Sequence, residues 1–209
     1  MKLTYFNFGP GGRAFMVRAA LHHAGIKFED IRLSPTEFKT AKQNGKYQTG
    51  IPELVLPNGK VYTQSLAMLR FAGKLANIYP TDEYKAFAVD VVCDTVHDLL
   101  AKAPGGSNEA EREKNRQIYS NGRMKAYMES LERTIQQERG KYTVGDDFTI
   151  ADLDLYFLTN MISSGKFDYI PPSYLNTYPN MVELNETIAK HPICTNWMSE
   201  VMATSGAKL

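Results

Sequence analysis

Cysteine is scarce in this chain of 209 residues: Cys93 and Cys194 are the only two. Both fall within helical patterns, so they are expected to be buried thiols of a cytosolic protein rather than a disulfide framework. Neither sign of charge dominates, since 24 Lys and Arg face 23 Asp and Glu for a net charge of +1. No Lys/Arg-rich run gathers the basic residues, which disfavours nucleic acid as a partner. No stretch approaches the roughly 20 apolar residues needed to cross a membrane. Met1 to Asn7 has the pattern of a strand, not of a signal peptide. Internal repeats and low-complexity tracts are absent, and tryptophan is reduced to Trp197, expected in or near the core. What is present is apolar material, 43% of the residues, enough to bury a core as one compact unit or two small domains.

The most informative stretch runs from Gly50 to Ser65. Leu54 to Leu56 is a short apolar run, Pro57-Asn58-Gly59 supplies a fixed φ and a positive-φ position, and Val61-Tyr62 resumes extended chain; this predicts an antiparallel hairpin. Ser65 is the expected N-cap of a helix whose apolar residues Leu66, Leu69, Ala72 and Leu75 recur every three or so. A carboxylate at that helix start would meet backbone donors and the positive end of the dipole, while Ile51 could offer its backbone to a peptide ligand. Pro52, taken by itself, reads as a strand-edge proline in trans, the commoner X-Pro isomer.

The chain opens as βαβ. Lys2 to Phe8 is the first strand, Ala14, Val17, Leu21 and Ala24 form the buried stripe of a helix that Gly25 stops, and Lys27 to Leu33 is the second strand. Gly9-Pro10-Gly11-Gly12-Arg13-Ala14 also fits G-x-G-x-x-A, with Glu29 and Asp30 about twenty residues on, the fingerprint of a dinucleotide site. Against that reading, the chain continues into a hairpin and then helices rather than further parallel βα units. The bland alternative makes these glycines a flexible turn at a pocket rim. Ser34 to Lys42 is a short, irregular helix and Gln43 to Thr49 a polar loop. Tyr79-Pro80-Thr81-Asp82 breaks the pattern, and the domain boundary is placed there, giving domains 1–79 and 80–209. Beyond it the chain is helical: Phe87 to Leu100, then a helix carrying Met124 to Ile135, then Leu153 to Ile162 entered through the capping box Thr149-Ile150-Ala151-Asp152, and two short helices parted near His191-Pro192. The fold class is thus α/β plus all-α.

Asp90, Asp94, His97 and Asp98 share one helix face. A solvated polar face and a divalent-metal site both fit this pattern. His22 and His23 suit surface or capping positions. Tyr5, near the end of the first strand, is by default a packing residue.

Three features together resemble the cytosolic glutathione transferases: Ile-Pro before a hairpin, Gln-Ser opening a helix, and Lys2-Leu3-Thr4-Tyr5-Phe6-Asn7 followed by Gly-Arg-Ala. The last most resembles the sigma class, which includes the glutathione-dependent prostaglandin D synthases. The resemblance spans essentially the whole chain. It implies a thioredoxin-like first domain (βαβ-α-ββα), an all-helical second domain contributing the electrophile site and dimer contacts, and a homodimer. It implies reduced glutathione as co-substrate, no permanently bound cofactor, and no metal. In the family the matching tyrosine donates to the glutathione thiolate, so Tyr5 is implied as catalytic and Arg13 as a second stabiliser. It further implies a cis Ile51-Pro52 bond, with Gly50 and Ile51 beside the cysteinyl part, Gln64 and Ser65 on the γ-glutamyl carboxylate, Lys42 on the glycyl carboxylate and Phe38 packing beside it. Asp98 is implied to reach the α-amino group of glutathione in the other subunit, and Phe8 and Pro10 to wall the acceptor. Three departures stand out: Gly9-Pro10 lengthens the turn by two residues, Phe38 replaces the usual tryptophan and its N–H donor, and His97 replaces an acid found in metal-binding relatives. No Ser or Cys precedes Ser34, which excludes a serine- or cysteine-dependent transferase and a glutaredoxin-like thiol mechanism. The implied reaction is conjugation of glutathione to hydrophobic electrophiles; a prostaglandin D synthase-type isomerase and a non-catalytic carrier or crystallin-like protein are the alternatives.

Overall fold

The computed structural model describes residues 1–8 and 11–196, so Pro10 and Trp197 lie outside the described residues. The chain divides into two compact units, Met1–Ile78 with the described residues 192–196, and Tyr79–His191.

The first unit runs β1 (Lys2–Phe6), α1 (Phe15–His23), β2 (Glu29–Leu33), α2 (Pro35–Gln43), β3 (Glu53–Val55), β4 (Val61–Tyr62) and α3 (Ser65–Leu75). The sheet order is β2-β1-β3-β4. β1 and β2 pair in parallel, whereas β3 is antiparallel to both β1 and β4. This is the thioredoxin-like arrangement. One parallel pairing is too few for the doubly wound sheet that a dinucleotide site needs, so the glycine pattern at 9–14 opens no such fold. α1 is buried along the whole of Phe15 to Leu21, wider than the expected stripe because it packs against α3 on one side and sends Arg18 to β2 on the other. Its end is a Schellman motif: Gly25, at φ 66°, donates to His22 O and Ile26 to Leu21 O. α2 is a regular helix rather than an irregular one. The cause is a capping box, in which the Ser34 hydroxyl accepts from Glu37 N at 3.2 Å and the Glu37 carboxylate from Ser34 N at 2.7 Å.

The second unit contains α4 (Glu83–Ala101), α5 (Glu109–Asn121), α6 (Arg123–Glu138), α7 (Ile150–Ser163), a 3-10 turn (Pro172–Thr177) and α8 (Pro179–Ala189). Where the pattern reads as one helix after a charged lead-in, there are two. Gly122, at φ −118° and ψ −100°, breaks the chain between α5 and α6, and only the apolar spacing of α6 is visible as periodicity. α7 packs against both α4 and α8 and is buried from Ile150 to Leu155. The Thr149–Asp152 capping box is present as expected. Asp152, fully buried, also accepts from the amide and hydroxyl of Thr143, at 2.8 and 2.7 Å. Cys93 and Cys194 are both buried and form no disulfide.

Candidate active site

The β1 strand delivers Tyr5 with its ring buried and its hydroxyl at the turn into α1. There the Arg13 backbone N–H donates to the Tyr5 oxygen at 3.2 Å. A phenol that accepts from an amide keeps its own proton for a third group. Arg13 therefore meets Tyr5 through its main chain, a contact with no signal in the linear pattern of residues. Gly12 is what lets the turn come so close. A Cβ there would lie 2.4 Å from Tyr5 Cε1, and the residue sits at φ 78°, so this glycine is a packed contact and not a flexible rim. Phe8, 53% exposed, stands edge-on to Tyr5 with centroids 6.1 Å apart and stacks on Phe6 at 5.1 Å.

The Ile51-Pro52 bond is cis, against the trans reading of the proline taken alone. Thr4 pairs with Glu53, and one further step along that antiparallel register brings Tyr5 level with Pro52. Among the described residues, neither the N–H nor the C=O of Ile51 has a hydrogen-bond partner. The hairpin then carries the chain to α3. Gln64, not Ser65, occupies the cap position, a correction to the expected N-cap. It does so at φ 79° and ψ 97°, a conformation costing a non-glycine residue about 1–3 kcal/mol. Its side chain makes no capping bond. Ser65 is thereby the first helical residue, buried and with its hydroxyl unbonded among the described residues. The amides of Ser65, Leu66 and Ala67 precede the first helical bond, from Met68 N to Gln64 O, and are left pointing out of the helix end.

α2 contributes the other edge of the first unit. Phe38 stands edge-on to Phe6 at 5.0 Å and stacks with Tyr47 at 6.2 Å, while Lys42 Nζ lies 5.9 Å from the Phe38 ring centre. Phe6, Phe8, Phe38 and Tyr47 thus form an aromatic chain along this end of the sheet. Phe6 and Tyr47 carry no sequence signal for such a role, since they are drawn in only by the fold. Gly50, at φ 93°, ends the loop that Tyr47 begins, donating to Tyr47 O at 2.9 Å.

In the second unit the acidic face of α4 resolves into separate contacts. Asp90 accepts from Tyr79 Oη at 3.0 Å. His97 Nε2 is 3.5 Å from the buried Asp154. Asp98 pairs with Lys102 and, at 3.3 Å, with Tyr127 Oη, and the Lys102 hydrogen bond holds its carboxyl below the usual carboxylate range. Among the described residues no group of three His, Cys, Asp or Glu is placed to hold a metal ion. A hollow between α6 and α8, lined by Arg139, Asn180, Glu183 and Thr187 among others, contains none of the predicted residues.

No helix among the described residues is long and apolar enough to cross a membrane. Comparison with known proteins bears on the whole chain. A family model described as glutathione S-transferase, N-terminal domain, matches residues 1–74, and one described as glutathione S-transferase, C-terminal domain, matches 94–200. The chain is 27% identical to glutathione S-transferase 1 of Ascaris suum over 95% of each sequence. It is 26% identical to the hematopoietic prostaglandin D synthase of Homo sapiens over 94% of each. Its fold superposes on the crystal structure of monomeric Na-GST-3, a glutathione S-transferase of the hookworm Necator americanus, with a TM-score of 0.79 and 26% identity, covering 95% of this chain and 96% of that one. With both halves of the family matched in order around a thioredoxin-like unit and a helical unit, the chain belongs to the glutathione S-transferase family.

Proposed function

We propose that the protein binds reduced glutathione in its first unit, ionises the thiol beside Tyr5, and conjugates the resulting thiolate to hydrophobic electrophiles. In that step sulfur forms a bond to the electrophilic carbon, the leaving group departs with its electron pair, and the thiol proton passes to solvent. The observation that carries this reading is the Tyr5 hydroxyl, which accepts from Arg13 N–H and so has its proton available for sulfur. Gln64 and Ser65 suit the γ-glutamyl carboxylate because the three uncapped amides and the Ser65 hydroxyl are all donors. The unpaired backbone of Ile51 suits the cysteinyl amide, with Gly50 and Pro52 flanking it. Lys42 suits the glycyl carboxylate, its ammonium lying 5.9 Å from the Phe38 ring centre. Phe8 walls the acceptor, and the Arg13 side chain adds positive charge. Sigma-like class and a cytoplasmic setting are part of the same proposal.

A homodimer, with the boundary between domains in the chain near residue 79, completes it. Val61 and Tyr62 on β4, Phe71 and Leu75 on α3, and Tyr84 and Phe87 on α4 are large apolar side chains left exposed, a pattern suited to burial against a second copy.

A free thiol titrates near 8.5, so holding glutathione ionised at neutral pH needs a shift of about 2 units, close to 3 kcal/mol. One hydrogen bond to a charged acceptor contributes roughly 1.5–3 kcal/mol, so Tyr5 supplies most of it. Tyr5→Phe removes that donor and little else. Glutathione affinity should stay near normal, turnover of a chromogenic acceptor should fall strongly at pH 6.5, and activity should partly recover toward pH 9. The absorbance of the bound thiolate, near about 240 nm, should titrate about 1–2 units higher in the variant. Identical titrations in the two proteins would make Tyr5 a packing residue and end this mechanism.

A further inference from the structure

On the sheet face that carries Tyr5 there is more positive charge than packing requires. Leu3 and Tyr5 lie on the same side of β1 by alternation, and the parallel register sets Asp30 beside Leu3 and Arg32 beside Tyr5. α1 covers that side with Arg18, a side chain with no exposed surface. Arg18 donates from Nε to Asp30 Oδ1 at 2.9 Å. Its Nη2 lies 2.9 Å from the same oxygen, an ion pair without hydrogen-bond geometry. The other carboxylate oxygen accepts from Arg32 Nε at 2.8 Å. Two guanidiniums therefore share one carboxylate, leaving a net charge of about +1 at a site where Arg18 is buried and Asp30 and Arg32 are about one-fifth exposed. Nη1 of both arginines is buried and has no hydrogen-bond partner among the described residues. Burial lowers the Arg18 pKa, attraction to Asp30 opposes this, and Tyr5 is among the groups that attract it.

One arginine would neutralise Asp30, so the second calls for an account. We infer that the Arg18–Asp30–Arg32 triad positions charge for the reaction at Tyr5: its uncompensated positive charge stabilises the glutathione thiolate bonded to the Tyr5 hydroxyl. The inference rests on the glutathione reading given above. Other charged groups near this side are few. Arg13 enters α1 and His22 and His23 leave it; Glu29 is paired with Lys2 at 2.8 Å in solvent; Glu53 pairs in register with Thr4, on the other side of β1; α3 carries Arg70 and Lys74.

The test uses Arg18→Met and Arg32→Met. Each removes one positive charge yet leaves Asp30 paired with the remaining arginine. The thiolate absorbance of bound glutathione is titrated, and affinity for S-methylglutathione, which has no ionisable thiol, is measured beside it. The expected result is a midpoint raised by about one pH unit in each variant with S-methylglutathione affinity unchanged. An unmoved midpoint in a folded variant overturns the inference. A parallel loss of S-methylglutathione affinity overturns it as well, since the triad would then be scaffold. Arg32 is 19% exposed, so its variant stands if Arg18→Met fails to fold, and failure of both to fold assigns the triad to the scaffold. A wild-type protein that binds no glutathione removes the functional proposal itself, a result distinct from wild type and variants binding and titrating alike.

Discussion

At the scale of single residues, Ser65 and Gln64 divide one task. Gln64 takes up the strained backbone at φ 79°, and by doing so it frees the Ser65 hydroxyl from capping. Ser65→Ala should therefore cost binding more than stability. Losing a hydrogen bond to a charged group costs about 1.5–3 kcal/mol, so the dissociation constant for glutathione should rise at least roughly tenfold, while Tm moves little. Calorimetry showing an unchanged constant would take Ser65 out of the site. Tyr5, Ser65, Lys42 and Ile51 could be named in advance only through the family resemblance, because they stand in short local motifs that match the family's. Gly12 against the Tyr5 ring and Tyr47 against Phe38 were not, because these contacts exist only once distant residues of the chain are folded together. The triad was hidden for the same reason: Arg18 lies on α1, while Asp30 and Arg32 lie on β2.

At the scale of elements, the hairpin, the βαβ opening and the α7 capping box were readable from turn residues and period. The break at Gly122 was not, since a single glycine in a polar lead-in resembles an ordinary weak helical position. The cap of α7 does more than begin a helix. One Asp152 carboxylate accepts from the amides and hydroxyls of both Thr143 and Thr149, between 2.7 and 3.2 Å. Asp152→Ala would leave two buried amides unpaired, at a cost of about 3 kcal/mol, or a fall in Tm of about 6–12 °C for a chain of this size. Differential scanning calorimetry that finds less than about 2 °C would show the carboxylate to be dispensable.

At the scale of the molecule, the proposed dimer gives Asp98 a partner outside its own chain. In the chain alone it is already held by Lys102 and Tyr127, so a ligand amine must replace or share those contacts. Mixing Asp98→Asn with Tyr5→Phe protein under conditions of subunit exchange should yield heterodimers in which one site carries both lesions and one carries neither. Regained turnover fits a shared site, whereas no recovery despite exchange measured by mass spectrometry confines Asp98 to its own chain. The ends of the four-stranded sheet have a different kind of effect. On one side β4 offers only two residues, and on the other β2 presents Glu29, Asp30 and Arg32 within five. Neither margin is a template for another chain's strand. Molecules of this protein can therefore be crowded together without knitting their sheets into fibrils, and aggregation would first require the fold itself to open.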